Sequence, residues 1–217
     1  MASSSDAHDA SESYLGDDLD KAIAMVNELK ERVKQILLVL QGIERNAARG
    51  KKHKLEGLEN ELSVYRVAYL EAKIQIEKSI LELGNADREM LIDTYKDDFA
   101  YCRVETESRV AAGVRVDVTN MILGKKLDDA ISMTKEIVQK AGAINEARYA
   151  LDTDGNTRSG TEKLTSAHAA YLRAKRTIEM AIRELSRGEK DVLVKVYGED
   201  LTSAQVNTGG DFWVLEQ

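Results

Sequence analysis

The sequence predicts an all-α protein of duplicated long helical hairpins, which form a four-helix-bundle or coiled-coil-like architecture. Three observations predict it: the chain repeats itself internally, its apolar residues recur with helical spacing, and its 217 residues include no proline. An average composition would place roughly ten prolines in a chain of this length. Proline removes a backbone donor and clashes with the preceding turn, so long uninterrupted helices have few positions that tolerate it.

The internal repeat has two arms. Residues 68–99 align without a gap with residues 170–201, and 13 of 32 positions are identical. Residues 19–36 align with residues 127–144, and seven of 18 positions are identical. Because the offsets are 102 and 108 residues, each copy has a first helix, a connector of variable length and a second helix. A pseudo-twofold axis between the copies is the simplest way to relate them.

The arms carry apolar residues at spacings of three and four, which is typical of the buried seam of a helical bundle. In the second arms these residues are Leu55, Leu58, Leu62, Tyr65, Tyr69, Ala72, Ile76, Ile80 and Leu83, then Leu164, Tyr171, Ala174, Ile178, Ile182 and Leu185. In the first arms they are Leu19, Ile23, Val26, Val33, Leu37 and Leu40, then Leu127, Ile131, Thr134, Val138 and Ala141. Four such stripes are expected to bury one another in a bundle.

The predicted organisation has five parts. They are a mobile polar N-terminal tail at 1–16, helical-hairpin repeat 1 at 17–112, a crossover at 113–124, helical-hairpin repeat 2 at 125–201 and a C-terminal tail at 202–217. Asp17 or Asp18 is expected to cap the first helix, and residues 99–112 are expected to remain helical. Gly84, and Ser186 to Gly188, are expected to interrupt the second arms.

Charge and cysteine content restrict the function classes. A net charge of −7 and a pI near 5.2 disfavour a protein whose whole surface tracks a phosphate backbone, although a local basic patch is compatible with them. The single cysteine, Cys102, excludes an intramolecular disulfide and fits a reducing compartment. Without a secretory signal or an apolar run of ~18 residues, the chain is expected in the cytoplasm, or in the virion of a virus, with no membrane contact.

The connector of the first repeat is strongly basic. It contains Arg45, Arg49, Lys51, Lys52, His53 and Lys54, together called the basic connector below. These residues could meet phosphate, an acidic partner or the acidic surface of another copy, and a solvated loop is the simplest interpretation. No aromatic residues alternate with the charges, so stacking on single-stranded bases is not predicted.

Neither metal nor catalytic chemistry is predicted. Asp152, Asp154 and Asn156 have the spacing that opens a calcium loop, but Thr157 and Lys163 stand where glycine and glutamate are needed, so an ordinary turn is expected. Di-iron bundles need Glu-x-x-His, and the three histidines, His8, His53 and His168, do not follow a glutamate at that spacing. No cofactor, metal site or catalytic residue is therefore assigned, and the chain is predicted not to be an enzyme.

The C-terminal tail carries large apolar residues after a polar stretch. Phe212, Trp213, Val214 and Leu215 include the single tryptophan and one of two phenylalanines of the chain. An anchor of this kind suits docking, either into a groove of the same bundle or into a neighbouring molecule.

Three function hypotheses follow from these features. The leading one is a non-catalytic structural or assembly protein that forms a homo-oligomer or scaffolds other proteins through its helical surfaces and its tail. The alternative is a nucleic-acid-binding helical protein, similar in role to a viral nucleocapsid subunit, that uses the basic connector. A weaker third is a metal-dependent helical-bundle enzyme.

Overall fold

The structure, a computed structural model, describes residues 16–106, 122–153 and 158–208, and within these ranges it contains helices and turns but no strand. The helices are α1 (Asp17–Ala48), α2 (Lys52–Glu82), α3 (Asn85–Thr94), α4 (Lys96–Cys102), α5 (Lys125–Thr153), α6 (Arg158–Glu184) and α7 (Arg187–Ser203). The all-α, bundle-like fold is thus confirmed, whereas the pseudo-twofold axis and the predicted domain boundaries stay predictions. No helix in the described ranges is apolar over a stretch long enough to cross a bilayer.

The described chain forms two compact units. Unit 1 contains residues 16–31 and 72–106, and unit 2 contains residues 32–71, 122–153 and 158–208. In unit 2, α5 packs along α6 and also contacts α7. In unit 1, α3 contacts α4. The three candidate sites discussed below belong to unit 2.

The first helix of each repeat begins directly after a glycine in the left-handed region. Gly16 has a φ of 86° and Gly124 a φ of 79°. Each glycine carbonyl accepts the amide N–H of the residue four positions later, at 3.1 Å in both copies. The expected cap at Asp17 or Asp18 is therefore wrong, because both residues lie in the first turn of α1, where their carboxylates face the positive end of the helix dipole.

The buried stripe of α1 contains Leu19, Val26 and Val33 as predicted, but the other predicted positions are each shifted by one residue. Ile23, Leu37 and Leu40 are only half-buried. The core residues of α1 are Leu19, Ala22, Val26, Leu29, Val33, Ile36 and Val39. The predicted stripe did not include Ala22, although a small residue lets a neighbouring helix approach closely. Once Ala22 is counted, the spacing of three and four leads to Leu29 and Ile36.

The second arms bury the predicted seam close to the helix breaks and leave it partly exposed towards the connectors. Leu55, Leu58 and Leu164 are half-buried. The buried seam residues are Leu62, Tyr69, Ile76, Ile80 and Leu83 in the first copy, and Ile178, Ile182 and Leu185 in the second. The connector ends of the hairpins are therefore the more solvated parts of the described chain.

The predicted helix breaks at Gly84 and Ser186 are confirmed. A different side chain bonds the free backbone groups at each break. After Gly84, Arg88 donates hydrogen bonds to three carbonyls near the end of α2, at 2.7 to 3.1 Å. Ser186 instead forms a capping box with Glu189 at the start of α7. Each solution satisfies backbone groups that a broken helix would leave without partners.

The final helical segments of the two repeats share two irregularities at an offset of 102 residues. Tyr95, with a φ of −108°, separates α3 from α4, and Tyr197, with a φ of −118°, kinks α7. Further along, Arg103 has a φ of 54° and Gln205 a φ of 52°. In both copies the next amide bonds back to the carbonyl five positions earlier, at 3.0 and 2.8 Å, which is the Schellman closure of a helix.

This closure corrects the expected helix within residues 99–106, and residues 107–112 of that prediction lie outside the described residues. The helix α4 ends at Cys102, and Val104 is buried after the left-handed residue Arg103. Glycine is the usual residue at such a position because it has no Cβ. Because Arg103 is not a glycine, its residue type does not indicate that the helix ends there.

A close approach fixes the start of α7 against α2 within unit 2. A Cβ atom on Gly188 would lie 2.7 Å from the Ser63 hydroxyl oxygen, so glycine permits the contact. Nearby, the Arg66 side chain donates to the Ile122 carbonyl at 2.8 Å. These contacts support the hairpin of α5 and α6 from one side, because α7 also packs against α5.

Candidate interaction sites

The basic connector lies on a tight turn between α1 and α2. Gly50 has a φ of 66°, and its amide N–H donates to the Ala47 carbonyl at 3.0 Å. The Lys51 amide N–H donates to the Asn46 carbonyl at 3.0 Å, which completes a Schellman motif. The turn is thus a backbone-bonded structure of defined geometry.

All six side chains of the basic connector are exposed. Arg45 lies in the last turn of α1, Lys52 is the first residue of α2, and the others stand on the turn or in the first turn of α2. The structure therefore gathers the predicted residues in one solvent-accessible place. What they bind stays a prediction.

The tail residues Phe212, Trp213, Val214 and Leu215 lie outside the described residues, but the segment before them is placed against α6. The Tyr171 hydroxyl donates to the Ala204 carbonyl at 2.8 Å, and the backbone N–H of Asn207 donates to the Glu179 carboxylate at 3.0 Å. The Thr208 residue is only 9% exposed to solvent. Residues 204–208, called the tether below, are thus held on α6.

The first repeat has the equivalent contact. The Glu105 amide N–H donates to the Glu77 carboxylate at 2.8 Å, and Glu77 also pairs with Lys73 at 2.9 Å. Glu77 and Glu179 match in the internal alignment. Their shared role in the structure is to receive the chain as it leaves the last helix of each repeat.

The tyrosine contact in the tether gives a stability prediction. Replacing Tyr171→Phe is expected to lower the free energy of unfolding by about 1–2 kcal/mol, because the Ala204 carbonyl loses a hydrogen bond at a buried residue. Tyr149→Phe is the matched control, since Tyr149 is 73% exposed and should change stability by less than ~0.5 kcal/mol. Urea unfolding followed by circular dichroism measures both, and equal losses would contradict the contact.

A groove runs between α5 and α6 in unit 2, with a volume of about 260 Å³. From α6 it is lined by Ala170 and Ala174, which are one turn apart, and by Arg173. From α5 it is lined by Met133 and Lys140. The alanine side chains end at Cβ and therefore leave room beside the larger side chains of the two helices.

The groove combines an apolar floor with positive charge. Met133, Ala170 and Ala174 are half-buried. Lys140 and Arg173 form no ion pair within the described ranges, and Glu136 is the one acidic residue of the lining. The groove was not predicted, because Ala174 was assigned to the buried seam alone. The spacing of Ala170 and Ala174 was the signal that could have indicated it.

Of the residues considered for chemistry, the structure describes Cys102, His53, His168 and Asp152. Cys102 is 1% exposed, and burial, with a further contribution from Asp98, raises the pKa of its thiol to about 12. His168 makes a ring nitrogen contact of 3.0 Å to the Leu164 carbonyl of its own helix. His8 and the residues 154–157 of the calcium-like connector lie outside the described residues. Among the residues that the structure describes, no group of three or more His, Cys, Asp or Glu side chains could hold a metal ion.

Comparison of the chain with family models, with curated proteins and with solved structures finds no match in any of the three. The candidate sites are accordingly defined by their own geometry and charge. They are the exposed basic connector, the tether that leads to the aromatic tail, and the cationic groove between α5 and α6.

Proposed function

We propose that the chain is a non-catalytic structural or assembly protein, which self-associates or scaffolds partner proteins through its helical surfaces and its tail. The observation that carries this proposal is the tether, which is held on α6 as far as Thr208. Phe212 follows four residues later, so it stays within ~14 Å of that point. Such restriction lowers the conformational entropy that a docking segment loses on binding.

The test is removal of the tail. We expect deletion of residues 209–217 to lower the assembly order or to weaken association, measured by size-exclusion chromatography with light scattering over a range of concentrations. Deletion of residues 1–13, a polar segment without a large aromatic anchor, is the control. Association that is unchanged by the tail deletion would contradict the role of Phe212 to Leu215.

A second candidate function is nucleic-acid binding, and the exposed cluster of the basic connector favours it. A protein of this kind would work in the cytoplasm, or in a virion if its source is a virus. Binding to phosphates releases counterions, so affinity should fall steeply with salt.

Charge reversal tests this second candidate. The triple variant Lys51→Glu, Lys52→Glu, Lys54→Glu should bind a labelled 20-mer duplex more weakly, and its salt slope should fall by about three. The matched triple variant Lys163→Glu, Arg176→Glu, Lys195→Glu changes the net charge equally at exposed positions elsewhere in unit 2. Fluorescence anisotropy that gives equal affinities for the two variants, or no salt dependence, would exclude the basic connector as the binding surface.

A further inference from the structure

We propose that the groove between α5 and α6 is the receptor for the tail of a second copy of this chain, with Trp213 as the side chain that enters it. This inference rests on the proposed function and specifies the contact through which copies associate. It joins the aromatic segment of the tail, which has no assigned receptor, to the cationic groove, which has no assigned ligand.

The size of the groove suits one large side chain. Its volume of about 260 Å³ lies below the ~300–1,000 Å³ of ordinary small-molecule pockets. Tryptophan is the residue type most enriched, with tyrosine and arginine, among the anchors that dominate protein interfaces. Trp213 is the single tryptophan of the chain, and it stands in an apolar run of four residues.

The chemistry of the lining also fits an indole ring. The Met133 thioether offers a polarizable contact of the kind that sulfur makes with aromatic rings. Arg173 and Lys140 offer cations, and tryptophan has the aromatic face that binds cations best. Ala170 and Ala174 leave the space that the ring would fill.

Charge complementarity extends beyond the ring. The apolar run of the tail lies between Asp211 and Glu216, and the groove has two cations, Lys140 and Arg173, that pair with no other described residue. In the first repeat of the same chain, the position aligned with Arg173 is Glu71. An acidic tail would be repelled by the Glu71 carboxylate, so the charges favour binding to the second repeat over the first.

The geometry of α6 favours the tail of another molecule over the chain's own tail. The tether reaches α6 at Glu179, and Ala170 lies nine residues earlier, which is about two and a half turns and therefore the opposite face. The path around a helix of ~10–12 Å diameter, with the axial rise included, is roughly 21–23 Å. Five residues from Thr208 to Trp213 extend to ~18 Å at most. The backbone of the chain's own Trp213 thus falls short of Ala170, and it reaches Ala174, roughly 14–17 Å from Glu179 by the same estimate, only when the five residues are almost fully extended, whereas a second molecule has no such limit.

The experiment compares two charge reversals on the same helix. Arg173→Glu places the residue of the first copy in the groove, and Arg176→Glu makes an equal charge change at an exposed position outside it. Trp213→Ala removes the anchor. Light scattering over a concentration series measures association, and the emission of the single tryptophan measures its burial directly.

The expected result is that the unaltered chain associates and that its tryptophan emission shifts to shorter wavelength as concentration rises. Arg173→Glu and Trp213→Ala should each weaken association by about 30-fold or more, as removal of an interface anchor does, whereas Arg176→Glu should not. A mixture of the Arg173→Glu and Trp213→Ala chains should recover the blue-shifted emission, because each chain supplies the part that the other lacks.

Three results would overturn the inference, and they are distinguishable. If Trp213→Ala weakens association while Arg173→Glu behaves like Arg176→Glu, the groove is not the receptor but the proposed function stands. If the chain is a monomer whose blue-shifted emission disappears in Arg173→Glu, the chain's own tail occupies the groove. If the chain is a monomer with solvent-exposed tryptophan emission at every concentration, both the receptor and self-association through the tail are wrong.

Discussion

Alanine in place of Ile178 is expected to lower the free energy of unfolding by about 2–5 kcal/mol, the range measured for isoleucine truncations in protein cores. Ile178 has no exposed surface and is among the largest fully buried side chains of the described chain. Truncation would remove three carbon atoms from a fully buried site on α6, and the surrounding side chains would close the cavity only in part. The loss would be a large share of the stability of an ordinary domain.

Met180 supplies the matched control for this prediction. It lies two residues away on the same helix and is 55% exposed, so Met180→Ala should change stability by less than ~0.5 kcal/mol. Denaturant unfolding followed by circular dichroism at 222 nm measures both variants. The aligned residue of the first copy, Ile76, is equally buried, and Ile76→Ala should cost a similar amount. Equal effects of Ile178→Ala and Met180→Ala would show that the seam of α6 is not where the structure places it.

The Cys102 thiol is expected to be strongly protected from reaction in the folded chain. Burial is the first cause of its raised pKa, Asp98 raises it further, and Lys30 opposes the shift. At pH 8 a thiol of pKa about 12 is thiolate in about one molecule in ten thousand, compared with about one in ten for the ordinary value of 9.0. We therefore expect a disulfide reagent to react about a thousandfold or more slowly with the native chain than with the chain in urea. Rapid reaction of the native chain would contradict the burial of Cys102.

The same shift makes stability depend on pH in a defined direction. The folded pKa of about 12 lies above the ordinary 9.0, so the folded state holds its proton more tightly. The contribution of the protonated thiol to the free energy of unfolding is fully present below pH 9 and is lost as the pH rises towards 12. Between pH 9 and 10.5 the unaltered chain should lose about 2 kcal/mol more than a Cys102→Ala variant, which has no group to ionise at this position. Parallel pH profiles for the two proteins would rule out this linkage.

Much of the fold could be predicted from the sequence because its determinants are local. The lack of proline and the spacing of apolar residues indicated long helices, and Gly84 and Ser186 marked the breaks that the structure contains. The basic connector was also visible, since charged residues in a turn between two helices remain exposed in almost any packing. These features depend on neighbours within a few positions along the chain.

Other features were decided by the tertiary structure. The buried stripe of α1 passes through Ala22, which is fully buried although its side chain is too small to mark a seam in the sequence pattern. The left-handed residues Arg103 and Gln205 are not glycines, so the helix ends they form cannot be read from residue type. Their positive φ angles occur where buried residues on both sides, such as Phe99 and Val104, hold the chain in place.

The sequence by itself therefore determined that this protein is a repeated set of helical hairpins with a basic connector and an aromatic tail. Only the tertiary structure decided where the tether lies on α6 and that α5 and α6 leave a cationic groove between them. The reason is that a helix is specified by contacts between residues three and four apart, whereas a groove depends on the distance between two helices. That distance is set by side chains far apart in the sequence, here Met133 and Lys140 on one side and Ala170 and Ala174 on the other.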